Sequence, residues 1–140
     1  MTTVPAEWKK LADEARCAQK SAYAPYSKFE VGCAVEDEQG RIFTGCNVEN
    51  ASYSLCICAE RSAVAQLVCA GGKQVVRVAL ITASNEACFP CGSCLQVINE
   101  FGAPSVLAMN QNGDVVEQQK LEALLPFRFS KKQLADRPKT

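Results

Sequence analysis

The residues best suited to chemistry in this chain are Cys58-Ala59-Glu60 and, about thirty positions on, Pro90-Cys91-Gly92-Ser93-Cys94, in a sequence with no histidine. Three thiolates can hold one zinc ion. A catalytic zinc takes three protein ligands and leaves a fourth position open, whereas a structural zinc takes four. Cys91 and Cys94 at the start of a helix put two sulfurs one turn apart on one side, and Cys58 opens a second helix. Helix N-termini favour negative charge and so help to ionise both sets of thiols. Glu60, two residues after Cys58, can reach the same cavity without ligating and serve as a proton shuttle. Three thiolates, one Zn²⁺ and one hydroxide sum to about −2, which would blunt the metal's power to acidify water. Arg61 is the side chain placed to offset that charge by hydrogen bonds to cysteine sulfur.

Other readings compete at these positions. A cysteine in a reducing compartment is usually a small buried hydrophobe, and that reading is assigned to Cys17, Cys33, Cys46 and Cys69. Cys56 and Cys88 lie close to ligand candidates. A closed structural site built from Cys56, Cys58, Cys91 and Cys94 would take four ligands, and the Cys91/Cys94 spacing alone would also permit a redox pair.

The elements that must position these groups can be read from periodicity and breakers. Trp8, Leu11, Ala12, Ala15, Ala18 and Ala22 recur at helical spacing after Pro5,. Strands are expected at 31–35 and 41–48 around an Asp37-Glu38-Gln39-Gly40 turn, with a mostly irregular stretch at 47–57,. A helix over 58–70 stops at Gly71-Gly72,. The β-branched run at 75–82 is a strand, followed by a helix over 91–100 and a strand at 105–109,. Asn112-Gly113 signals a hairpin returning through 115–118, and a short helix at 121–125 ends at Pro126,. The charged tail from about residue 135 is expected to fray,. This order suggests one α/β domain over 1–140 with helices on both faces of its sheet. Both cysteine motifs then follow loops at strand ends, where open α/β sheets take their ligands.

Composition narrows the partners. Fifteen basic residues balance fifteen acidic ones, which argues against a polyanion as main substrate because nucleic-acid binding rests on a basic face. No run approaches the ~18–20 apolar residues of a membrane span, and residues 1–10 read as a polar lead without an apolar signal core,. Nine cysteines, an odd number, exclude a complete disulfide framework and point to the cytoplasm.

With the string Asn47-Val48-Glu49-Asn50-Ala51, the two cysteine motifs make a jointly specific pattern. From about Ser21 to Leu134 the chain resembles the small zinc-dependent cytidine deaminases. The resemblance implies conversion of cytidine and 2′-deoxycytidine to uridine and 2′-deoxyuridine with release of ammonia, in pyrimidine salvage. It implies a three-layer α/β/α sandwich around a five-stranded mixed sheet, and a homotetramer whose active sites are completed by neighbouring subunits. It implies one Zn²⁺ per subunit held by Cys58, Cys91 and Cys94, with Glu60 as the catalytic proton shuttle and the Ala59 carbonyl accepting from the exocyclic amine. Asn47 and Glu49 resemble the pair that grips the ribose 3′-hydroxyl, and Ala51 lies in the same substrate-binding string. Phe29 resembles the aromatic packed on the pyrimidine. Phe129 and Tyr53 resemble residues that reach an adjacent subunit's site. Three departures stand out: Phe89 where the family has Ser, Leu95 where it often has Arg, and Ser130-Lys131-Lys132 in place of a Gly-Pro-acidic run.

Polynucleotide-editing deaminases share the zinc core but usually carry His in place of Cys58 and a basic groove, so a free nucleoside fits better. A deaminase of a cytosine nucleoside antibiotic is the runner-up; such enzymes lack the full Asn-x-Glu-Asn string. A zinc-stabilised binding module is the reading from another class, and it requires the closed four-cysteine site.

Overall fold

Alternation of apolar side chains along the strands determines where the helices go. In the computed structural model, which describes residues 3–138, five strands form one mixed sheet in the order β2-β1-β3-β4-β5. These are β1 (Val31–Asp37), β2 (Ile42–Cys46), β3 (Val75–Thr82), β4 (Ser105–Met109) and β5 (Val116–Lys120). β1 runs antiparallel to both β2 and β3, β3 and β4 are parallel, and β4 and β5 are antiparallel.

Successive residues of the central strands serve opposite faces, as the two-residue period of a strand requires. Cys33, Val35, Val78, Leu80 and Val106 join a core with Ala59, Ala63, Val64, Leu67, Leu95, Ile98 and Leu121. These residues come from α2 (Ala59–Cys69), α3 (Gly92–Glu100) and α4 (Leu121–Leu124). Ala34, Ala79, Ile81, Leu107 and Met109 face the other way, onto Trp8, Leu11, Ala12 and Ala15, at the head and along one side of α1 (Lys9–Gln19). The result is the α/β/α sandwich expected from the sequence. A final helix, α5 (Lys131–Ala135), opens with a reciprocal capping box between Ser130 and Gln133. The tail expected to fray begins where α5 ends, and residues 139–140 lie outside the described part.

Several expected boundaries shift for physical reasons. The first helix ends at Gln19 rather than Ala22, because the chain turns there and the Tyr23 N–H donates to the Asn47 carbonyl (2.9 Å). β2 stops at Cys46 rather than 48, since the Asn47 side chain turns to the 29–31 segment instead of extending the ladder. Asp37, expected in the turn, is the buried last residue of β1. Its carboxylate closes the hairpin by accepting from Gln39 N (3.0 Å), Arg41 N (2.8 Å) and Arg41 Nε (2.8 Å). Cys33 is buried as expected, but Cys17 and Cys69 are exposed, near the C-terminal ends of their helices.

Two glycines let helices approach the sheet. A Cβ on Gly32 of β1 would strike the Ala15 carbonyl and come within 2.6 Å of Gln19 N; on Gly45 of β2 it would strike the Ala59 carbonyl and come within 2.6 Å of Ala63 N. Gly45 thus sets the depth of the first turn of α2, which carries Glu60. We expect Gly45→Ala to destabilise the fold by about 1–3 kcal/mol, the usual cost of overpacking, and to weaken zinc retention. Gly92→Ala, whose Cβ meets nothing within 4 Å, is the matched control. Denaturant unfolding and zinc analysis of both variants check this; equal behaviour would contradict it.

Candidate zinc active site

The two cysteine motifs meet where α2 and α3 begin. Cys58 and Cys91 are the N-cap residues of these helices, each in extended backbone, and Cys94 lies one turn into α3, fully buried. Their three Sγ atoms all lie within 4.8 Å of one another, and Cys91 and Cys94 Sγ are 3.6 Å apart. Sulfurs on a tetrahedral zinc at ~2.3 Å would sit about 3.8 Å apart, so the trio fits one zinc ion with a fourth position left over. The Cys56 thiol turns instead to Asn50, accepting from its N–H at 3.3 Å. That removes the ligand on which the closed four-cysteine reading depended.

Arg61 is the cation beside the trio. Arg61 Nη2 donates to Cys58 Sγ (3.6 Å) and to the Cys56 carbonyl (3.3 Å). Among the three thiols, a hydrogen bond from Cys94, aided by the hydrogen bond and charge of Arg61, outweighs burial and lowers the Cys58 thiol to about 5. Cys94 moves the other way, chiefly because it donates to that thiolate and is buried. We expect Arg61→Ala to cut turnover per bound zinc by about 10–100-fold, the usual effect of losing an outer-shell partner, while changing zinc content less. Kinetics with zinc measured on the same sample check this; lost zinc with normal turnover per zinc would contradict it.

Glu60 is the second residue of α2 and only 5 % exposed. Burial, reinforced by negative charge on Cys58, raises its carboxyl above the ordinary range. Carboxyl groups seldom sit so deep, and perturbed ones in a cleft cluster at functional sites. Beneath it on β1 lies fully buried Cys33, whose thiol is pushed up by burial and by the charge of Glu60.

These groups line a cavity of about 250 Å³ shared by Phe29, Asn47, Cys58, Ala59, Glu60 and Cys91. Its remaining walls come from Val31, Leu80, Thr82, Cys88 and Phe89, which sequence reasoning did not assign to the site. Leu80 and Thr82 were findable: they alternate along the C-terminal half of a central strand, beside the end at which such sheets take ligands. Ala59 is the first residue of α2. Its carbonyl lies against Gly45, and its N–H has no partner within the helix.

Asn47 and Glu49 do more local work than expected. Asn47 Oδ1 accepts from Val31 N (2.9 Å) and Nδ2 donates to the Phe29 carbonyl (2.8 Å), fixing two cavity walls at once. Glu49 accepts from Tyr26 N (2.9 Å), Ser27 N (3.1 Å) and Ser27 Oγ. These bonds, led by that from the Ser27 hydroxyl, hold its carboxyl below the usual range. Asn47 lines the catalytic cavity, whereas Glu49 and Tyr53 line a neighbouring hollow with Tyr26, Ser27 and Cys56. Tyr53 is 73 % exposed and meets Tyr26 edge to face at 5.8 Å. Ala51 and Phe129 are also exposed and do not line the cavity of their own chain.

An open three-thiolate site beside a buried, non-ligating carboxyl, at the ends of the central strands, defines a mononuclear zinc centre for hydrolysis. The family model described as the cytidine and deoxycytidylate deaminase zinc-binding region matches residues 6–110. The cytidine deaminase of Sporosarcina psychrophila is 42% identical over 129 residues, covering 91% of this chain and 94% of that protein. A crystal structure of cytidine deaminase from Burkholderia pseudomallei superposes with a TM-score of 0.82 at 41% identity, covering 86% of this chain and 98% of that one. That of Mycobacterium tuberculosis gives 0.74 at 37% identity, covering 89% and 98%. The chain belongs to the zinc-dependent cytidine and deoxycytidylate deaminase family.

Proposed function

We propose that this protein hydrolyses the C4 amine of cytidine and 2′-deoxycytidine, giving uridine or 2′-deoxyuridine and ammonia, as a step of pyrimidine salvage. The observation that carries the reading is the buried Glu60 carboxyl on the same cavity as the three-thiolate cluster. Cys58, Cys91 and Cys94 are its zinc ligands, one ion per chain. Zinc supplies the Lewis acidity that makes water a nucleophile near neutral pH.

Glu60 manages the protons. It takes one from the attacking water and delivers it to ring N3 as the C4–O bond forms. It then carries the second from the same oxygen to the amine as the C4–N bond breaks, and ends ionised, as it began. Its raised pKa suits a group that must both accept and give. Phe29 packs on the pyrimidine, and the main chain at Ala59 borders its edge. Asn47 keeps one Nδ2 hydrogen unused, and Glu49 keeps a lone pair on a carboxylate that can accept about four bonds. One donor and one acceptor are what a ribose hydroxyl requires.

The finer reading extends to assembly. Tyr53, Leu55 and Ile57 are exposed close together in the sequence, with exposed Tyr26 against the Tyr53 ring, and Phe127, Phe129 and Leu134 are exposed farther on. Apolar surface of this kind marks protein contacts. In a homotetramer, Phe129 and Tyr53 would complete a neighbour's site, while Ala51 belongs to the substrate-binding string that starts at Asn47. The whole chain, 1–140, would act as one domain in the cytoplasm, where its thiols stay reduced. No helix among the described residues is long and apolar enough to cross a membrane.

A steady-state comparison of cytidine, deoxycytidine, cytosine and cytidine monophosphate tests the substrate assignment. Both nucleosides should be preferred over the free base and the nucleotide. Preference for the free base would overturn the ribose-grip assignment of Asn47 and Glu49, and preference for the nucleotide would overturn the choice of a nucleoside as substrate.

A further inference from the structure

The loop between β3 and α3 brings Cys88, Phe89 and Cys91 to the cavity wall, yet it has almost no regular structure of its own. Its internal hydrogen bonds are local: Ser84 N to Thr82 Oγ1 (3.3 Å), Glu86 N to Ser84 Oγ (3.0 Å) and Cys88 Sγ to the Glu86 carbonyl (3.6 Å). Among the described residues, the hydrogen bonds tying residues 84–90 to the rest of the fold come from Asn110 and Gln111, just past β4. Asn110 Nδ2 donates to the Asn85 carbonyl (3.1 Å), Gln111 N donates to the Ser84 carbonyl (2.8 Å), and Gln111 Nε2 donates to Asn85 Oδ1.

Asn110 is 3 % exposed, and its carboxamide is fully used. Oδ1 accepts from Gly113 N (2.8 Å), Asp114 N (3.1 Å) and Val115 N (3.2 Å), closing the β4–β5 turn. Nδ2 divides its hydrogens between Asp114 Oδ1 (2.8 Å) and the Asn85 carbonyl. One side chain therefore joins a rigid hairpin turn to the loop that leads into the cysteine motif. Only a carboxamide of this length both accepts and donates in this way; an aspartate would lack the donor.

We propose that Asn110 is a positioning residue for the zinc site: it clamps the β3–α3 loop so that Phe89 and Cys91 are held at the head of α3. The inference rests on the reading of Cys91 as a zinc ligand, and it concerns how firmly the metal is held, not which nucleoside is used.

The test is the paired exchange Asn110→Asp with Asp114→Asn. It keeps the oxygen that closes the turn and restores the 110–114 pair with donor and acceptor exchanged, but it removes the donor to Asn85. Zinc transfer from the loaded enzyme to an excess of a chromophoric chelator is followed without substrate. Release should quicken by about three- to tenfold, the range expected for one buried hydrogen bond, with kcat falling more than KM rises. Gln111→Ala removes an exposed side chain from the same Asn85 and should shift release in the same direction by less, so it provides the answer if the exchange variant does not fold. Val116→Ala, in the core on the α1 face, destabilises the neighbouring strand without touching the loop and should release zinc near the wild-type rate. Wild-type release from both loop variants, or equal acceleration by Val116→Ala, would overturn the proposal. Wild-type protein that holds zinc but leaves cytidine unchanged would sink the proposed function while leaving this result readable.

Discussion

Glu60→Gln should retain zinc and bind nucleoside with KM changed only a few-fold, while turnover collapses. The amide keeps the shape and some hydrogen bonding of the carboxylate but cannot take a proton from water. A single positioned acid–base group contributes about 10²–10⁴ in rate. Glu60 is asked to move protons in both the addition and the departure of the amine, so the loss should reach the upper end of that range or exceed it. Zinc content should not change, because the ligand cluster contains the three thiols and not this carboxyl. Kinetics normalised to bound zinc make the comparison, and near-normal turnover would refute the assignment. Glu60→Asp, which withdraws the carboxyl by one methylene, should fall between the two.

Cys58→Ser and Cys91→Ser should move stability and function in opposite directions. Both residues occupy N-cap positions, and neither side chain makes a capping hydrogen bond. Serine is among the preferred residues there, and a good cap stabilises a helix by about 1 kcal/mol over a poor one. A serine hydroxyl, however, stays protonated where a thiolate ligates, so the zinc site loses one of three donors. Zinc affinity should drop by more than the ~10–100-fold that follows loss of an outer-shell partner, and turnover should vanish with it. Zinc titration and unfolding of metal-free samples would show both effects. Stoichiometric zinc and normal activity in either variant would contradict the ligand assignment. The poor caps are thus a local sacrifice of helix stability for metal chemistry.

The parts of this site readable in the sequence are those specified by short-range spacing. Cys58, Glu60, Cys91 and Cys94 sit at fixed offsets from two helix starts, so their convergence follows once those helices abut one sheet. The limits of β3 and β4 were readable because mainly apolar, β-branched runs, interrupted inside β3 only by Arg77, mark buried strands. Long-range backbone bonds were not readable. Ala22 keeps the helical period of α1, yet the Tyr23–Asn47 bond takes the chain out of the helix before it. Asn47 looked like a ribose ligand, and no local pattern announced that its amide also fixes Phe29 and Val31. The same holds for Asn110, whose partner Asn85 lies on another loop. Helix α5 is a different kind of miss: Ser130 and Gln133 form a capping box, a local signal that could have been read. Exposed Cys17 and Cys69 show why residue type alone is a weak guide to burial near helix ends.

A one-zinc nucleoside deaminase must draw its catalysis from Glu60 beside a three-thiolate centre. The most direct test uses one sample: zinc is quantified per chain, and uridine and ammonia released from cytidine are measured before chelation, after it, and after zinc is returned. The expected result is one zinc per chain, equal amounts of uridine and ammonia, loss of both on chelation, and their recovery with zinc. Zinc-replete protein that leaves both cytidine and deoxycytidine intact would contradict it.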